Sequence, residues 1–224
     1  HCAGSARKQA SLAPLLALAV AESGTRVLLS TPSATGRGSS AGVLRALGLR
    51  PADRAEEVAA QLDAHRLAWW PLESWAPPLA RLMALRAALG FRNTAHSLVR
   101  LLSPLVDGIV VAHYTHPAYR ASLAAAAEQL RLSAWIGRGT EGDPVQWAAE
   151  AHPPIGLLRG TPLPLLGEPP AAREATTLIA GDDAATARYT QAVLEGRAPR
   201  PAAIAHQVSS LRALAQAALA EEVP

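Results

Sequence analysis

Residues 109–137 read IVVAHYTHPAYRASLAAAAEQLRLSAWIG, and this stretch decides the fold class. Its first five residues, 109–113, are mostly apolar and β-branched, as suits a pleated strand. Residues 118–130 are Ala-rich and favour a helix of about three turns. A second short apolar run, 133–137, follows at once. Strand, helix and strand in this order predict a parallel βαβ unit.

The same alternation extends outward. Short β-like runs lie at 26–30 and 67–70, the second closed by Pro71. Helical patterns occupy 11–22, 40–47, 53–64, 79–89, 95–102, 184–194 and 202–219. Pro14 falls in the first turn of the earliest helix, where a missing N–H costs little. Ser40, Asn93 or Thr94, and Asp183 stand at predicted helix starts; Gly24, Gly48, Gly90 and Gly196 stand at predicted ends. Residues 32–40 read as a Gly/Ser loop, 138–144 as a polar loop, and the Pro/Gly-rich 153–174 as irregular. The expected fold is α/β: a mostly parallel sheet flanked by helices, in a single domain over 1–224.

Composition narrows the function classes. The chain has 224 residues, half of them hydrophobic, enough for a substantial core. With Cys2 as the single cysteine, an internal disulfide and a thiolate zinc site are both excluded, and the cytoplasm is the expected compartment. Residues 10–21 form an apolar run shorter than the roughly 20 residues that a membrane helix needs, so no membrane partner is expected. The net charge of +3 permits an anionic partner without requiring one. The chain begins with His rather than Met and stops in or just after a helical pattern, so it reads as a fragment cut at both ends.

Residues 89–104, LGFRNTAHSLVRLLSP, resemble the "LGxRTxFNxLGPLxNP" segment of anthranilate phosphoribosyltransferases in glycosyltransferase family three. Residues 178–196, LIAGDDAATARYTQAVLEG, are similar to that family's "GGDxxxNAxxxxxVLxG", and 40–48, SAGVLRALG, to its "SADVLEALG". The resemblance thus runs over nearly the whole chain. It implies the phosphoribosyltransferase/nucleoside-phosphorylase-like α/β fold, a missing N-terminal helical domain, and a homodimer for the full-length protein.

The chemistry-bearing positions depart from that pattern. The transferases' "GTGGD" loop, whose glycines let backbone N–H groups approach phosphate, corresponds here to Gly4, Ser5, Ala6, Arg7 and Lys8. Their Asn-x-Ser-Thr becomes Gln9-Ala10-Ser11-Leu12, keeping Ser11 alone, and their "KHGN" becomes Leu29-Ser30-Thr31-Pro32. An acidic pair that holds magnesium corresponds to the segment with Glu141 and Asp143, two apart, beside Arg138. A solvated polar turn is the competing reading of that segment. For Arg92 the competing reading is a surface charge at a helix start.

A branch of the family with a "GAR" start, an "RGTEGE" loop and the form "LGxRNxxHxLxxLLxP" resembles the chain better, through Gly4–Lys8, residues 138–143 and His96. That resemblance implies loss of transferase activity and sequence-independent nucleic-acid binding. The residues expected to contact phosphate are Gly4, Ser5, Arg7, Lys8, Ser11, Arg37, Arg92, His96, Arg100 and Arg138. They lie on or beside loops expected at strand C-termini. Trp69, Trp70, Trp75, Trp135 and Trp147 are able to stack on bases, although core packing is the commoner role of tryptophan. His113 and His116 at the end of a strand could form a two-His metal pair, but such a site would need carboxylates too. The leading expectation is a catalytically degenerate homologue that binds nucleic acid without a cofactor. The alternative is an active phosphoribosyl transferase using phosphoribosyl pyrophosphate and magnesium, held by Glu141 and Asp143. A plain interaction scaffold with an empty pocket is the third.

Overall fold

A computed structural model describes residues 10–33, 38–139, 143–145, 153–165 and 182–221. Along the chain run α1 (Ala13–Glu22), β1 (Val27–Leu29), α2 (Ser40–Ala46), α3 (Ala55–His65), β2 (Leu67–Trp69) and α4 (Leu72–Trp75). Then come α5 (Pro77–Ala84), α6 (Arg86–Leu89), α7 (Ala95–Leu98), a 3-10 turn (Val99–Leu101) and β3 (Val110–Tyr114). The order ends with α8 (Ala118–Gln129), β4 (Ala134–Arg138), β5 (Ile155–Leu158), β6 (Thr161–Leu163), α9 (Asp183–Leu194) and α10 (Ala202–Ala220). The α/β class read from the sequence holds. Each of the strand runs at 26–30, 67–70, 109–113 and 133–137 forms a strand within one or two residues of its expected bounds.

The chain packs as two compact units, His1–Val99 with Thr177–Pro199, and Arg100–Thr176 with Arg200–Pro224. In the first, β1 and β2 pair in parallel, Val27 opposite Leu67 and Leu29 opposite Trp69. Helix α1 buries most of its residues, including Leu15, Leu16 and Val20, which explains a run that is apolar all round. Ala17 and Ala21 meet Leu67, while Ala41 and Leu44 of α2 pack on Trp69. A satellite cluster of Leu72, Met83, Ala95 and Val99 gathers α4, α5 and α7.

Two helix caps sit one residue before their expected positions. Ser39, extended at φ −77° and ψ 152°, accepts the Gly42 N–H at 3.1 Å and caps α2; Ser40 turns inward instead. Asp182 accepts the Ala184 N–H at 3.0 Å and caps α9. In both places two like residues are adjacent, and sequence alone does not rank them. Asn93, the first of the two expected candidates, accepts the Ala95 N–H at 3.1 Å.

The second unit holds a four-stranded sheet in the order β3-β4-β5-β6, parallel between β3 and β4 and antiparallel thereafter. Val110, Ala112, Tyr114, Ile136 and Leu157 form its core with Leu123 and Ala127 of α8. The β5–β6 hairpin lies in the stretch expected to be irregular. Its tight turn uses Arg159 and Gly160, at φ +47° and +81°, the positive-φ pattern of a type I′ turn. Pro162 is tolerated because β6 ends the sheet order, where a missing N–H leaves no ladder partner unsatisfied.

Trp69 and Trp135 are fully buried, the core role expected to be commoner; Trp147 lies outside the described residues. No helix among the described residues is long and apolar enough to cross a membrane.

Candidate functional site

In the second unit, β3 and β4 run side by side, with Tyr114 opposite Arg138 at their C-terminal ends. Arg100, in the 3-10 turn before β3, donates from Nη1 to the His113 carbonyl at 3.1 Å. Two guanidinium-bearing residues therefore lie at one end of a parallel strand pair, where ligands bind in open α/β sheets. The Gly139 N–H continues the ladder to the Tyr114 carbonyl at 2.9 Å. A Cβ at residue 139 would overlap the Asp143 carbonyl oxygen and approach His113 Cβ to 3.0 Å. Glycine is needed there for this close approach. Asp143 itself is buried. Behind it, the Gln207 side chain of α10 is fully buried and donates from Nε2 to the Pro144 carbonyl at 2.8 Å.

Ser11 belongs to the first unit and is fully buried. Its Oγ lies 2.7 Å from Ser40 Oγ and accepts the Ala13 N–H at 3.3 Å, and its own N–H donates to the Gly38 carbonyl at 2.9 Å. The hydroxyl is thus committed to joining the starts of α1 and α2. The Gly38 N–H in turn donates to Asp183 Oδ1 at 2.8 Å.

The segment after β1, where the resemblance places Lys and His, is held by three neighbours. Trp75 Nε1 donates to Ser30 Oγ at 2.8 Å. Both oxygens of the Glu73 carboxylate accept from the Ser33 N–H at 3.1 Å. Arg45 donates to the Ser33 carbonyl at 3.1 Å and stacks 5.2 Å above the Trp69 ring. A carboxylate beside this backbone N–H disfavours a phosphate at the same place by like-charge repulsion.

Arg92 is exposed and His96 buried, both in the first unit. His96 Nδ1 lies 3.1 Å from Asn93 Oδ1, so the ring proton sits on Nδ1 when the Asn amide is oriented with its oxygen there. Of the residues expected to contact phosphate, Arg100 and Arg138 are brought together at the β3–β4 end. Ser11, Arg92 and His96 lie on separate elements of the other unit. Gly4, Ser5, Arg7, Lys8 and Arg37 lie outside the described residues, as does Glu141. Among the described residues, no group of three or more His, Cys, Asp or Glu side chains is placed to hold a metal.

Gln207, Glu73, Arg45 and Asp183 take part in these arrangements without having been singled out for them from sequence. Of the four, Asp183 alone carries a local signal, the adjacent Asp182-Asp183 at a helix start.

No protein-family model matches the chain. A protein of Escherichia coli (strain K12), YbiB, described as uncharacterized, is 29% identical over 219 residues, covering 91% of this chain and 65% of its own. Among solved structures, the anthranilate phosphoribosyltransferase (TrpD) of Thermus thermophilus superposes with a TM-score of 0.65 at 22% identity, over 92% of this chain and 63% of that enzyme. The chain therefore shares that enzyme's α/β fold and spans just under two thirds of the length of either protein.

Proposed function

We propose that the chain is a nucleic-acid-binding homologue of the anthranilate phosphoribosyltransferase fold that has lost the transferase chemistry. The observation that carries this reading is that Arg100 and Arg138 both belong to the C-terminal end of β3 and β4. Guanidinium groups there contact successive phosphates of a strand and release its counterions, without reading bases. Two features of the first unit favour lost catalysis. The Ser11 hydroxyl is bonded internally, and the Glu73 carboxylate accepts the Ser33 N–H just past Leu29-Ser30-Thr31-Pro32, the run that stands in for the enzymes' Lys and His. Arg7, Lys8, Arg37 and Arg92 would add phosphate contacts of their own, as would Gly4 and Ser5, whereas His96 is buried against Asn93.

Fluorescence anisotropy with single-stranded oligonucleotides tests the proposal. Affinity is expected to fall steeply between about 50 and 200 mM salt and to vary little with sequence. Salt-independent binding, or none at low salt, refutes it.

The shared fold favours one rival, a working phosphoribosyl transferase. Pyrophosphate release from phosphoribosyl pyrophosphate, with anthranilate or nucleobases as acceptors, distinguishes the two readings. Turnover would establish the rival.

A further inference from the structure

We infer that Gln207 is a positioning residue for the loop that carries Arg138, so that α10 sets how this guanidinium meets an anionic strand. The inference rests on the nucleic-acid reading above for its consequence, though not for its geometry. Gln207 sits in the first half of a 19-residue helix built largely of Ala, Leu and Val, where an apolar residue would fill the same space. A fully buried amide needs partners, because an unpaired one loses its water without compensation. One of its N–H groups spans 63 positions of sequence to reach the Pro144 carbonyl at 2.8 Å.

That contact closes a chain of short contacts. Tyr114 holds the Gly139 N–H, Gly139 lies against the Asp143 carbonyl because it has no Cβ, and Pro144 is held by Gln207. Arg138 immediately precedes Gly139, at the last position of β4. Both stems of the polar loop are thereby fastened, one to the end of β3 and the other to α10. A side chain distant from Arg138 in sequence thus holds the far stem of the loop that begins at Arg138.

Gln207→Met keeps length and packing but removes the donor. Hydrogen exchange at the Gly139 amide, followed by NMR, reads the positioning without any ligand. Exchange should quicken about tenfold while the urea midpoint shows the fold intact; unchanged exchange overturns the inference. Anisotropy with a single-stranded 20-mer reads the consequence. Gln207→Met should weaken binding about threefold or more and lower the salt slope by about 0.7, the value of one lost phosphate contact on a single strand. In an Arg138→Ala background it should weaken binding no further, whereas additive losses would show that Gln207 acts elsewhere. If exchange quickens but the wild-type chain binds no oligonucleotide, the functional reading fails and the positioning role stands. Should Gln207→Met fail to fold, Gln207→Leu, which also removes the donor and keeps Gly139, is held to the same two readouts.

Discussion

Replacing Gly42 by Ala is expected to destabilise the first unit, although it installs the best helix former in the first turn of a helix. An ideal Cβ at residue 42 would overlap Oδ2 and Cγ of Asp183 and lie 2.9 Å from Oδ1; these are its three nearest heavy atoms. The helix gains about 1 kcal/mol from the exchange of Gly for Ala. Against this stands about 1–3 kcal/mol of overpacking between α2 and α9. If Asp183 swings away and relieves the overlap, its bond to the Gly38 N–H is lost instead, about 1.5–3 kcal/mol for a charged acceptor. The net expectation is a loss of about 1–2 kcal/mol, read as a lower urea midpoint with an unchanged slope. Asp183→Ala alone should cost about 1.5–3 kcal/mol through the same lost bond. The decisive comparison is Gly42→Ala introduced into Asp183→Ala. With the obstructing carboxylate gone, the sign should reverse, to a gain of up to about 1 kcal/mol. Equal losses in both backgrounds would refute the proposed contact between these residues.

Other expectations follow from single contacts. Arg100→Ala and Arg138→Ala should each weaken single-strand binding severalfold at low salt and lower the salt slope by about 0.7; a slope left unchanged in both would remove them from the interface. Glu57 accepts the Asp53 N–H at 2.9 Å and the Arg54 guanidinium, which hold its carboxyl below the ordinary value of about 4.5. A carboxyl lowered on folding stabilises above its unfolded value, and that contribution disappears as pH falls through the folded one. The wild type's advantage over Glu57→Gln in urea midpoint should therefore be present at pH 7 and shrink as pH falls below the ordinary carboxyl value of about 4.5; an advantage independent of pH would contradict this. Leu82, Leu85 and Leu89 recur at helical spacing along α5 and α6, each about half exposed. Changing all three to Gln should leave the urea midpoint nearly unchanged and raise the concentration at which light scattering detects association; a large loss of stability would mean that these side chains are packed after all.

Some elements were legible because one local signal dominated. The runs at 109–113 and 133–137 are short, apolar and separated by an Ala-rich helix, and they pair as expected. Gly48 and Gly90 adopt the positive φ that ends a helix. Elsewhere the signal was weak or divided. Helices α3 and α8 end at Arg66 and Arg131, which take φ +56° and +53° without the glycine that would mark such a stop. The helical pattern over 79–89 breaks into α5 and α6 at Leu85, where no Gly or Pro warns of it. The β5–β6 turn uses Arg-Gly where Asn-Gly or Asp-Gly would have been recognised. The site follows the same division. Arg100 and Arg138 were legible as cations beside motif loops, and strand pairing brings them together. Gln207 was not legible, because its partner is a backbone carbonyl 63 residues away and carbonyls leave no mark in a sequence.

The first unit is assembled from chain segments on either side of the bulk of the second. During synthesis, α1 and α2 leave the ribosome long before α9, the helix that packs on both. At about 5–20 residues per second, that wait is on the order of ten seconds. Throughout it, the faces of α1 and α2 destined for α9 are bare in the nascent chain, a window in which chaperone binding would help and a translational pause before residue 183 would harm.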